Sequence, residues 1–210
     1  MIWLKTRCFF FFDFLRTIWK YYRNPLFAKV HLYFTLQYFL KNPFRISRKF
    51  LQERGDEDIY AYGETPLSTL DEISKKCGIT KDDIVFELGC GRGATCFWLN
   101  TWLGCEVVGI EYIPEFVEIA QTIVQKFHLK GIRFRLENFL ETDFTGATVI
   151  YLYGTCLDDP SIQMLAESFR KCPPGTKIIT TSYPIPGLPV QKSFKARFPW
   201  GRAEIYWHTV

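Results

Sequence analysis

The residues with the clearest chemical potential lie between positions 87 and 111. Glu87 precedes a turn with glycine at alternate positions, Gly89-Cys90-Gly91-Arg92-Gly93, and Glu111 stands twenty-four residues after Glu87. Small residues in such a turn let backbone approach a ligand closely and leave N–H groups pointing at it. A carboxylate at the end of a second strand can accept from both hydroxyls of a ribose. The elements that must position these groups are legible around them. Ile84 to Phe86 is a short apolar run that reads as a buried parallel strand, and Ala94 to Leu103 can form a helix behind the turn. Glu106 to Ile110 reads as a second strand that ends in Glu111. A glycine triad alone marks many ordinary loops; the strand before it and the helix behind it make this one a nucleotide-binding elbow rather than a plain tight turn.

Two cofactor classes compete for such an elbow. Dinucleotide sites show Gly-x-Gly-x-x-Gly, a spacing that Gly89, Gly91 and Gly93 do not match. A carboxylate near the turn also repels a pyrophosphate, whereas it suits a ligand carrying an ammonium and a sulfonium. The pattern Glu-x-Gly-x-Gly-x-Gly, from Glu87 to Gly93, resembles motif I of the class I S-adenosylmethionine-dependent methyltransferases. That resemblance implies S-adenosyl-L-methionine as the cofactor.

At 210 residues the chain holds one ordinary domain plus an appendage, and with 48% apolar residues it has ample material for a core. The net charge of +4 hides an asymmetry. Residues 1–50 carry ten Lys and Arg against the single acid Asp13, a net +9, while the other 160 residues carry a net −5. Sixteen of the 37 aromatic residues also fall in the first fifty, so the N-terminal quarter is a different kind of object from the rest. Seven scattered cysteines form no CxxC pair and have no histidine at ligand spacing. They argue for a reducing, cytoplasmic setting and against a metal site.

Residues 2–23 plot as an amphipathic helix. Lys5, Asp13, Arg16, Lys20 and Arg23 share a sector of about 80°, and Trp3, Leu4, Phe10, Phe11, Phe14, Leu15, Ile18, Trp19 and Tyr22 lie opposite. Asn24-Pro25 and Asn42-Pro43 each start a further helix, Leu26 to Leu40 and Phe44 to Arg54, the latter ended by Gly55. No stretch is apolar for long enough to span a bilayer, and no signal-peptide cleavage pattern follows. Basic and aromatic together, residues 1–55 read as a segment that lies on an anionic membrane surface, peripheral to it. A subdomain that packs its aromatics on the rest of the chain is the plainer reading, and an arm for nucleic acid is the third.

Residues 56–210 read as the catalytic unit, entered through the acidic linker Asp56-Glu57-Asp58. Thr65 is expected to cap a helix that Pro66 opens and that runs through Cys77. Pro114 to His128 is a second crossover helix, and Asp159-Pro160 starts a third. Ile132 to Leu136, Val149 to Tyr153 and Lys177 to Ser182 are strands three to five, followed by a hairpin of about 192–198 and 203–208. The fold class is therefore α/β: a doubly wound, Rossmann-like sheet whose last strand is antiparallel, preceded by the helical segment.

From residue 60 onward the chain resembles the seven-strand methyltransferases, and three stretches are similar to the non-SET protein-lysine methyltransferases. Tyr62-Gly63-Glu64 is like the corresponding segment of the telomeric-silencing-type histone lysine enzymes. Val149 to Gly154 and Ser182-Tyr183-Pro184 resemble the membrane-bound enzymes that methylate lysine in ATP-synthase c subunit and nucleotide carriers. Asn138 departs from the Asp those families place after strand three, though an amide can still bond the adenine edge. No Asn-Pro-Pro-Tyr follows strand four, and no Pro-Cys precedes Cys156, which reads as structural or pocket-lining. The resemblance implies that Glu87, Gly89, Gly91 and Gly93 hold the methionine part, Glu111 the ribose, Tyr112 an adenine face and Asn138 the adenine edge. It further implies that Glu64 and Thr65 close over the donor, and that Tyr153, Thr155 and Tyr183 line the acceptor channel as catalytic residues. A protein lysine is the leading acceptor. An RNA, a small molecule or a lipid headgroup is the alternative, and a non-catalytic module that binds the cofactor and docks at a membrane is the third class.

Overall fold

Short apolar runs alternating with helical stretches place five parallel strands at the centre of the molecule. The computed structural model describes residues 2–39, 41–56, 58–60, 62–155 and 157–210, with residues 2–5 described by their backbone alone. The parallel strands are β1 (Ile84–Leu88), β2 (Glu106–Glu111), β3 (Ile132–Leu136), β4 (Val149–Leu152) and β5 (Lys177–Thr181). A hairpin adds β6 (Val190–Phe198) and β7 (Gly201–Thr209). Among the described residues the sheet has seven strands in the order β3-β2-β1-β4-β5-β7-β6, with β7 antiparallel to both neighbours. This is the doubly wound sheet with an antiparallel last strand that the sequence implies.

The helices in chain order are α1 (Ile2–Tyr21), α2 (Pro25–Gln37), α3 (Pro43–Arg54), α4 (Leu67–Lys76), α5 (Ala94–Trp98), α6 (Pro114–Lys126) and α7 (Asp159–Phe169). Strand alternation divides the core. Val85, Val107, Val149 and Ile179 join the side covered by α4, α5 and α6, while Phe86, Val108, Ile150 and Ile178 meet α7 on the other side. Glu87 shares the face of Val85, so its carboxylate enters the side that α5 covers.

Three local expectations change. Thr65 does not cap α4: Pro66 occupies that position, and the Thr65 hydroxyl instead bonds the Tyr151 hydroxyl at 2.6 Å. The helix behind the glycine turn is α-helical only to Trp98 and widens into a π turn over Leu99–Leu103. Asp158 rather than Asp159 caps α7, accepting from the Ser161 N–H at 2.9 Å. Leu40, the expected helix end, and Cys156, expected to be structural or pocket-lining, lie outside the described residues.

The N-terminal helices form a further layer on α5. Tyr21 meets Trp98 and Trp102 edge-on at 5.6 and 5.0 Å, and Phe34 meets Phe97 at 6.0 Å. Asn24 caps α2 with its Oδ1 and donates through Nδ2 to the Thr101 carbonyl at 2.7 Å, tying helix start to π turn. The seating of α1 reverses the simple amphipathic picture. Asp13, Thr17 and Lys20 turn toward α4, where Lys20 pairs with Asp71, while Phe11, Phe12, Leu15 and Trp19 face outward. No helix among the described residues is long and apolar enough to cross a membrane.

Candidate active site

The turn after β1 is built on backbone that only glycine adopts freely. Gly89, Gly91 and Gly93 have φ of +65°, +55° and +80°. Their neighbours differ. Gly89 and Gly91 line a cavity of about 340 Å³ at the carboxyl ends of β1, β2 and β4, whereas Gly93 is packed beneath it. A Cβ on Gly93 would lie 2.6 Å from the Phe134 ring, so that glycine serves close packing of helix on strand.

Glu111 closes the other side of the turn. Its Oε2 accepts from the Gly91 N–H at 2.7 Å, and its Oε1 accepts from the Tyr112 and Ile113 N–H groups, both at 2.8 Å. Burial pushes this carboxyl above its ordinary range despite those three donors. Glu87 is buried more deeply. It accepts from the Thr95 hydroxyl and from the Cys96 thiol at 3.1 Å, and burial pushes it up to about 7. It faces a separate void of about 10 Å³ shared with Gly63, Glu64, Thr65 and Gly89, room for one water or one ammonium group.

Glu64 and Thr65 line that void but not the larger cavity, which their neighbours Tyr62 and Gly63 border. Arg92 grips Glu64 through Nε and Nη2 at 2.6 and 2.5 Å, and the Tyr62 hydroxyl donates to the same carboxylate. Burial pushes the Glu64 carboxyl up, yet the charge and hydrogen bonds of Arg92, with the Tyr62 bond, hold it below its usual value. Tyr112 borders the cavity half-exposed, its ring edge-on to Phe50 at 5.8 Å and under the Arg54 guanidinium at 4.9 Å. Asn138 also borders it, but its Oδ1 accepts from the Leu140 N–H at 3.1 Å and caps a 3₁₀ turn over Phe139–Glu141.

Tyr153 and Thr155 meet the same cavity after β4, and the Tyr153 hydroxyl accepts from Trp200 Nε1–H at 3.0 Å. Of the two spaces, Glu64, Thr65 and Glu87 line only the smaller void, and two expected residues, Gly93 and Tyr183, line neither: Gly93 packs on Phe134, and Tyr183 is half-exposed beyond β5. The sequence reading missed the roof. Ser47, Phe50, Leu51 and Arg54 of α3 close over the cavity, so the N-terminal segment is part of the site. Nothing in the local pattern of α3 announces that contact. Phe139, by contrast, was within reach, because ligands of open α/β sheets lie beyond the strand carboxyl ends and it follows β3 directly.

A family profile described as a methyltransferase domain matches residues 79–163. The histone-lysine N-methyltransferase, H3 lysine-79 specific, of Dictyostelium discoideum is 27% identical over 155 residues, 67% of this chain and 8% of that protein. Human EEF1A lysine methyltransferase 2 is 26% identical over 107 residues, 51% of this chain and 44% of that protein. A protein-lysine N-methyltransferase of Saccharolobus islandicus is 25% identical over 128 residues, 60% of this chain and 78% of that one. This chain thus spans less than half the length of the first two relatives. Among solved structures, an RNA methyltransferase from Salinibacter ruber in complex with S-adenosyl-L-homocysteine superposes with a TM-score of 0.60 at 23% identity, covering 70% of this chain and 94% of that one. TrmN from Thermus thermophilus gives 0.55 at 11% identity, covering 67% and 47%. At these identities the likeness is one of fold.

Proposed function

We propose that the chain is a class I S-adenosylmethionine-dependent methyltransferase whose methyl acceptor is the amine of a protein lysine. One observation carries the reading beyond the names of the relatives. At its β4 end the cavity offers hydroxyls, from Tyr153, Thr155 and Ser161, while the nearby carboxylate of Glu64 is already committed to Arg92. A free acid there would hold the proton on an ammonium; hydroxyls and carbonyls let it leave.

The cavity fits the cofactor. Glu111 has three amide donors, and its Oε2 has one remaining lone pair to accept from a ribose hydroxyl. Tyr112 and Phe139 supply aromatic walls for a purine, Asn138 its polar edge, and the void against Glu87, Glu64 and Thr65 suits an ammonium. Gly89 and Gly91 give backbone room. S-adenosylmethionine bound there supplies a methyl group activated by a positive sulfur. The chain's part is to hold donor and acceptor in line and to keep water out, a part taken in this reading by α3 with Tyr62 and Gly63.

A lysine amine with pKa near 10.4 is neutral in only about one molecule in a thousand at pH 7.4, so the Tyr153 side must strip water from the ammonium and let its proton pass to solvent before the neutral amine attacks the methyl and displaces the neutral thioether. Residues 1–55 act in this reading as a helical segment that both packs on the 56–210 methyltransferase unit and roofs its donor site.

The test is incubation of the full chain with methyl-labelled donor and separated membrane, ribosome and soluble protein fractions. Label is expected in protein, recovered as methyl-lysine after hydrolysis, with a single-turnover rate that rises between about pH 7 and 9.5. Label that survives protease but not ribonuclease favours an RNA acceptor. Label in a lipid or small-molecule extract favours a lipid-headgroup or small-molecule acceptor, and binding of donor without any transfer favours a silent docking module.

A further inference from the structure

The outward face of α1 is left exposed among the described residues. Phe11, Leu15 and Trp19 recur every fourth residue along one face, and Phe12 lies beside them. Phe11, Phe12 and Trp19 are 58, 67 and 74% exposed, and Phe39 beyond α2 is 81% exposed. An apolar ridge of this kind marks a docking surface.

We propose that this face seats the protein on an anionic lipid bilayer without crossing it. Charge selects lipid over the other occupants. Residues 1–50 carry a net +9, and a second copy of the chain would set that charge against itself. Arg16 and Arg23 are exposed along the edge of the ridge, with the Arg23 guanidinium 6.0 Å from the Trp19 ring. Aromatic rings at headgroup depth with cations beside them are what an anionic interface binds. Lys20, the cation the helical wheel would add, is taken up by Asp71, so the lipid-facing charge comes from the flanking arginines. The inference stands apart from the identity of the methyl acceptor.

Vesicle flotation of the full chain tests it, with phosphatidylcholine alone against phosphatidylcholine containing phosphatidylglycerol. The wild type is expected to float with the anionic vesicles, to lose part of that binding in high salt and to be released by an alkaline wash. The Phe11→Ser, Leu15→Ser, Trp19→Ser triple variant should partition at least tenfold less, and the Arg16→Glu, Arg23→Glu variant should lose the preference for anionic lipid. Unchanged affinity for S-adenosylhomocysteine shows that the variants are folded. Independently of any variant, brominated lipid should quench tryptophan fluorescence of the wild type. No flotation with either vesicle, a triple variant that floats as the wild type does, or a dimer in solution that the triple variant dissolves would overturn the proposal.

Discussion

Arg92, the residue between the second and third glycines of the turn, lies bidentate on Glu64, twenty-eight residues earlier, while its guanidinium also faces the rings of Phe34 and Tyr38 at 5.0 and 4.8 Å. One cation thus joins the glycine turn, the wall of the void beside Glu87 and the N-terminal helix α2. About a fifth of each side chain in the ion pair is exposed, so most of the pair is out of water.

Removing one partner from a pair this buried leaves the other uncompensated. Arg92→Met is expected to cost about 3 kcal/mol, and Glu64→Gln combined with it to cost less than the two single changes summed. Urea denaturation of the four proteins gives the coupling, and additive costs would disprove the link. Arg92→Lys should rescue little, because an ammonium cannot reproduce the fork.

Glu111→Ala should act on two levels. Affinity for S-adenosylhomocysteine should fall by roughly 1.5–3 kcal/mol through the lost ribose contact. The ligand-free protein should also melt lower, because the N–H groups of Gly91, Tyr112 and Ile113 lose their acceptor. Calorimetry and thermal denaturation separate the two effects; an unchanged melting temperature would show the carboxylate to be a ligand contact alone.

Glu87 sets a pH dependence. Burial raises it from 4.5 to about 7, so the ligand-free fold keeps this proton where an unfolded chain has lost it. Its ionisation therefore opposes folding increasingly as pH rises from about 4.5 through 7, whereas an ammonium ligand needs the ionised form. Affinity for S-adenosylhomocysteine should accordingly strengthen between pH 6 and 8. Glu87→Gln should bind more weakly yet stabilise the ligand-free protein at pH 8 by about 1–3 kcal/mol, and do little at pH 4.5. Melting curves at the two pH values, together with binding isotherms, check both signs.

Gly93 is a packing glycine. Gly93→Ala forces an L side chain to a φ of +80° and drives a Cβ into Phe134. A loss of at least about 2 kcal/mol is expected, part of it recovered by Phe134→Leu, which clears the ring but not the backbone strain. If the double variant is no more stable than Gly93→Ala, the ring is not the obstacle.

The sequence by itself determined the sheet and the elbow. Apolar runs of four to six residues, helical stripes between them and a terminal hairpin admit few arrangements, because strands buried on both faces must be covered by crossover helices. Glu87, the glycines and Glu111 were legible for the same reason: their spacing is local to one strand-turn-helix unit and the strand after it.

Contacts that join distant segments were decided by tertiary structure alone. Thr65 looks like a cap in its own neighbourhood, and only the position of Tyr151, eighty-six residues on, turns its hydroxyl to another use. The periodicity of α1 separates aromatic from charged residues but does not state which side meets the protein. That was settled by Asp71 on α4, which accepts Lys20, and by Trp98 and Trp102, which take Tyr21 and leave the other aromatics outside. The roof of the cavity has the same origin. Ser47, Phe50, Leu51 and Arg54 line one cavity with Gly89 and Glu111, thirty-five to sixty-four residues further on, and a local pattern carries no record of a contact made only when separate elements pack.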